Sequence, residues 1–66
     1  MEYEIGTQYI SRGKRKELNT VVDILYTYNH INELVKLRYV SEHNFLGQTV
    51  IDRDVSPTTI KMGLVT

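Results

Sequence analysis

Cysteine and tryptophan are absent from this chain, proline occurs once and glycine four times, and eight lysines and arginines balance eight aspartates and glutamates. Each shortage removes something. Without cysteine there is no disulfide, no zinc–thiolate site and no thiol nucleophile, so nothing of that kind can staple the fold or serve a reaction. The same absence fits a reducing compartment. No apolar run approaches the roughly 18 residues of a membrane-spanning helix. The opening Met1-Glu-Tyr-Glu-Ile5 is acidic and has no apolar centre, unlike a secretory signal. A net charge of zero argues against a surface built chiefly for polyanions. What is present is a chain of 66 residues with five tyrosines and many β-branched side chains, which is not the composition of a disordered segment. One small, folded, soluble, cytoplasmic domain is expected. A core of this size rarely supplies more than about 3–5 kcal/mol, so stability drawn from a second copy or a partner is a reasonable expectation.

The clearest pattern runs from Thr20 to His43. Period-two alternation flanks the turn Asn29-His30-Ile31-Asn32, and the whole reads as one long β-hairpin. Folding Thr20–Tyr28 onto Glu33–Ser41 sets Val22 against Tyr39, Ile24 against Leu37 and Tyr26 against Val35 on one face. The other face then pairs Asp23 with Arg38 and Leu25 with Lys36. Opposed side chains are the unit of sheet stabilisation, so a register joining apolar pairs to an ion pair is the expected one. The second face also carries Val21, Leu34 and Val40, more apolar than solvent requires. Either the C-terminal segment covers it or it is a dimer or partner surface.

Around the hairpin, Thr7–Ser11 reads as a first strand entered through Gly6. Arg12-Gly13-Lys14-Arg15-Lys16 is a basic loop with a glycine suited to positive φ. His43–Gly47 reads as a turn and Gln48–Asp52 as a fourth strand. Ser56 as N-cap, Pro57 at the first helical position and Gly63 beyond the end spell a short helical turn, which must dock through Ile60 to persist. The fold class is mainly β: a small antiparallel SH3-like barrel, or a curled sheet with a C-terminal helical turn. Barrel closure is favoured because it removes exposed strand edges.

Three local features bear on chemistry. The basic loop places four cations in five residues, Arg12 to Lys16, which suits phosphate or an acidic protein surface, and equally a solvated connection. Asp52 and Asp54 share one side of a strand, but two carboxylates, even with Glu42 approaching, are too few for an oxygen-ligated cation. Ion pairing, or capping of the turn into Ser56-Pro57 by Asp54, is the expected use. His43 has the right chemistry for an acid or base, yet Ser11, Ser41 and Ser56 lie in no nucleophile-elbow context. No enzyme activity, metal or cofactor is expected.

The succession Ile5-Gly-Thr-Gln-Tyr-Ile10, basic loop, Thr20-Val-Val-Asp-Ile24, Glu33-Leu-Val-Lys-Leu-Arg-Tyr-Val40, Gly47-Gln-Thr-Val50, Asp52-Arg-Asp-Val55 and Thr59-Ile60 before Gly63-Leu64 resembles small β-domain proteins encoded by bacteriophages and prophages. The resemblance spans nearly the whole chain and implies expression inside an infected bacterium. It contains no catalytic motif, and no residue's role carries over from it.

The leading functional expectation is a protein-interaction module, a phage accessory protein that modulates a host or phage protein. Its contact patch would combine Arg12, Lys14, Arg15 and Lys16 with His30 and Ile31 at the hairpin tip. An alternative is nucleic-acid binding through the same loop. A third is a homodimer enclosing a small anionic ligand between Tyr26, Tyr28 and Tyr39.

Overall fold

The computed structural model describes residues 3–11 and 16–65. Four strands, β1 (Gln8–Ile10), β2 (Leu18–Tyr28), β3 (Leu34–Phe45) and β4 (Gln48–Val55), precede one helix, α1 (Pro57–Met62). They form a single antiparallel sheet in the order β1-β2-β3-β4. No helix among the described residues is long and apolar enough to cross a membrane.

The sheet is open, not a closed barrel. The edge of β1 that would have to meet β4 is taken by the chain's own C-terminal strap. Tyr9 bridges Leu64, the Ile10 N–H donates to the Gly63 carbonyl at 2.8 Å, and the Val65 N–H donates to Gln8 at 3.0 Å. Gly63 is required there by close approach, since a Cβ would lie 2.1 Å from the Ile10 carbonyl oxygen.

Tyr9, Val21, Tyr39, Val55 and Ile60 form the core, with Tyr3, Ile24 and Leu37 packed against it. The helix is set as its sequence signals indicate. The Ser56 side chain accepts the Thr59 N–H, Pro57 occupies the first turn, and Ile60 is fully buried. Two buried polar groups sit in this core with partners. The Tyr9 and Ser41 hydroxyls are 2.6 Å apart, and the Asn19 amide donates to Ser11 Oγ and, at 2.9 Å, to the Glu17 carbonyl.

The hairpin register differs from the expected one by two residues. Ile24 opposes Tyr39, Tyr26 opposes Leu37, Leu25 opposes Arg38 and Asp23 opposes Val40. One residue of the difference lies in the turn, where Tyr28 opposes Leu34 and leaves a five-residue loop. The other lies at Val35, which bulges between Leu34 and Lys36. A further irregularity between Val21 and Asp23 switches the parity of β2, because a bulge adds one residue to one strand only. Val21 therefore joins Tyr39 on the core face, and Val22 leaves it. The Asp23–Arg38 pair does not form; Arg38 Nε instead meets Asp54 Oδ1 at 3.0 Å. β3 also runs through His43 to Phe45, where a turn was expected, and β4 continues past Asp52 to Val55. The turn is confined to Leu46 and Gly47, both at positive φ as a two-residue type I′ hairpin requires.

Candidate protein-interaction surface

Beyond the Ile24–Tyr39 pair, β2 and β3 have no third strand beside them among the described residues. β1 pairs only with Leu18–Thr20, and β4 pairs only with Tyr39–Phe45. The remainder is a two-stranded arm about 15 Å long, at 3.3 Å per residue. It draws the molecule out to 43 × 22 × 20 Å, with a radius of gyration of 12.7 Å. A compact chain of this length would have a radius near 11 Å.

The arm's two faces differ. Opposed residues share a face and alternate residues exchange faces, so Ile24, Tyr26, Tyr28, Leu34 and Leu37 lie together on the side that continues into the core. None is charged. Tyr26, Tyr28 and Leu34 are 43%, 56% and 50% exposed, and the two tyrosine rings stack with centroids 6.5 Å apart. Leu25, Thr27, Lys36 and Arg38 make a mixed reverse face. A two-stranded ribbon alone is marginally stable in water, which makes a half-exposed apolar face along one a candidate surface for contact.

Asn29 sets the tip of the arm. Its Oδ1 accepts the N–H groups of Ile31 and Glu33, each at 3.0 Å, and its backbone N–H donates to the Glu33 carbonyl at 3.0 Å. Asn32 turns the chain at φ 63°, a conformation asparagine tolerates better than most residues. His30 and Ile31 are thereby held outward, and Ile31 does not fold back onto the arm, being 61% exposed.

Arg12, Lys14 and Arg15, with Gly13, lie outside the described residues; Lys16 is exposed just before β2. The eleven residues of β2 separate Lys16 from His30 by about 35 Å. Lys16 and the hairpin tip therefore belong to opposite ends of the molecule and do not form one patch. Next to Lys16, Glu17 Oε2 meets His43 Nε2 at 2.6 Å, and His43 Nδ1 is buried without a partner. His43 lines an open depression of about 180 Å³ together with Leu18, Thr20, Glu42, Asn44 and Thr49. Ligand pockets are usually larger, roughly 300–1,000 Å³, and more apolar.

The remaining candidates have structural occupations. The Asp52 carboxylate accepts the Asp54 N–H at 3.1 Å, Asp54 pairs with Arg38, and no group of three potential metal ligands exists among the described residues. Ser41 is bonded to Tyr9 inside the core. Tyr39 is fully buried, its hydroxyl accepting the Tyr3 N–H at 2.8 Å, so it cannot line a ligand pocket with Tyr26 and Tyr28. The Glu17–His43 pair went unread in the sequence because 26 positions separate its members, and only pairing of β2 with β3 joins them. The arm face was half legible: its residues alternate correctly, but Leu34 and Val21 exchange faces at bulges that no local signal marks. Comparison with protein-family models, curated proteins and solved structures gave no match to this chain.

Proposed function

We propose that this chain is a non-enzymatic protein-interaction module whose contact surface is the β2–β3 arm. The carrying observation is the uncharged face formed by Ile24, Tyr26, Tyr28, Leu34 and Leu37, which runs from the core, where Ile24 and Leu37 pack, out to the half-exposed Tyr26, Tyr28 and Leu34. Tyrosine-rich, charge-depleted surface is the composition of interface centres. In keeping with the resemblance to phage-encoded domains, the setting is the cytoplasm of an infected bacterium, where the module modulates a protein by occupying its surface. The test is affinity capture of tagged wild-type and Leu34→Glu chains from bacterial lysate, with and without nuclease. A stoichiometric protein, this chain included, that survives nuclease and is lost with Leu34→Glu supports the reading. Capture that survives Leu34→Glu but vanishes with nuclease, or with Arg15→Glu and Lys16→Glu together, replaces it with nucleic-acid binding through the loop.

A further inference from the structure

We infer that the occupant of the arm is a second copy of this chain, the two arms packing face to face through Ile24, Tyr26, Tyr28, Leu34 and Leu37. The inference rests on the reading of the arm as a contact surface and names what it contacts. Four observations carry it.

The first is area. The chain exposes 5005 Å², whereas a compact monomer of 7.7 kDa exposes about 4,300 Å². The excess of roughly 700 Å², taken over the whole chain, is of the same order as the ~800 Å² that each partner brings to a standard interface.

The second is the thinness of the core. Only Tyr9, Val21, Tyr39, Val40, Val55 and Ile60 are buried apolar residues among those described. A fold so poor in core, without disulfides, gains from covering its arm as it forms. A second copy is the one partner present wherever and whenever the chain is made. Obligate homodimers often have no stable folded monomer.

Charge is the third. An uncharged face offers nothing to steer or reward an acidic, basic or lipid-headgroup partner, and the surface that complements it best is another uncharged apolar face. Contacts between identical chains are the more apolar class of interface, and a two-fold arrangement needs only one such patch per chain.

The fourth separates face-wise from edge-wise docking. On the free edge of β2, the Ile24 N–H is already bonded by its neighbour's carboxylate, Asp23 Oδ1, at 2.8 Å. On β4, the Asp54 N–H is held by Asp52 Oδ1 at 3.1 Å. A carboxylate that occupies an edge amide also repels an incoming strand's carbonyls, which disfavours strand addition at Ile24 and at Asp54.

The test uses sedimentation equilibrium and thermal unfolding of the intact chain. The expected mass is twice 7.7 kDa, and the unfolding midpoint should rise across an about hundredfold range of protein concentration, as linked folding and association require. Tyr28→Lys and Leu34→Glu should each weaken association by about thirtyfold or more, the scale of a central interface residue. Location is read independently of any folding defect. Because the chain lacks cysteine, Thr27→Cys on the reverse face accepts one spin label. Mixed with unlabelled, isotope-enriched protein, it should broaden the amides of residues 24–28 and 34–37 of the other copy. A monomer with a concentration-independent midpoint overturns the inference, and so does a dimer whose broadening spares the arm. If the chain is monomeric yet Leu34→Glu still abolishes capture of some other protein, the contact-surface reading stands and the second copy alone is lost.

Discussion

Replacing Gly63 with alanine tests whether the C-terminal strap holds the fold together. Glycine-to-alanine changes at unstrained sites stabilise proteins by about 0.4–1 kcal/mol, through the unfolded chain. Gly63 has φ −118°, where alanine is at ease, so backbone strain predicts no penalty. Space predicts a large one. The new Cβ would lie 2.1 Å from the Ile10 carbonyl oxygen and 3.0 Å from both Ile10 C and N. A Cβ cannot rotate away, and the obstacle is backbone, so strap and β1 must part by about 1.4 Å to restore ordinary van der Waals contact near 3.5 Å. The 2.8 Å bond from Ile10 to Gly63 and the 3.0 Å bond from Val65 to Gln8 then exceed hydrogen-bonding range. Losing two net bonds costs about 1–3 kcal/mol, and residual overpacking about 1–3 kcal/mol more. After the entropic gain, a net loss of about 1–5 kcal/mol is expected. Urea unfolding followed by circular dichroism at one fixed protein concentration measures it. A change within about 0.5 kcal/mol, or a stabilisation, would refute the close approach and with it the strap's role in keeping the sheet open.

Three further outcomes follow from the geometry. Leu46 sits at φ 51° and is 88% exposed, so Leu46→Asn should stabilise by about 1 kcal/mol, the scale of the left-handed penalty; destabilisation in the same urea assay would mean that the leucine makes a contact. Asn29→Ala removes two side-chain bonds to the tip amides and should cost about 1–2 kcal/mol, with amide-exchange protection lost in the arm and retained around Tyr39 and Val21. Burial, opposed by the Ser41 bond and reinforced by Asp52, raises the Tyr9 phenol above its ordinary 10.0. The native state therefore keeps that proton where the unfolded chain has lost it, so this contribution to stability is whole below pH 10.0 and is lost as pH rises through the folded value. Tyr9→Phe should cost about 1–3 kcal/mol at neutral pH by leaving the buried Ser41 hydroxyl without its bond. It should also flatten the fall in stability above pH 10.0; an unchanged alkaline slope would count against Tyr9 as its source.

Much of this molecule is written in its local sequence, because strand alternation, turn residues and helix caps act over a few positions. Period two between Thr20 and Ser41 specifies a long hairpin. Ser56, Pro57 and Gly63 bound the helix, and Ile60 is its one buried side chain. The absence of cysteine and of long apolar runs is decided by composition alone. What local pattern cannot decide is how strands slide and where they stop. A two-residue slip leaves every side chain on its face, so apolar alternation does not distinguish Ile24 opposite Leu37 from Ile24 opposite Tyr39. The Asn29 loop and the Val35 bulge made that choice. Barrel closure was likewise a question of which segment reaches the edge of β1 first. The strap at Gly63–Val65 reached it, since Gly63 lets two backbones meet. The arm's apolar face is the outcome of both: residues that alternate as a buried strand should, carried by register and an open sheet out to where Tyr26, Tyr28 and Leu34 stay about half exposed.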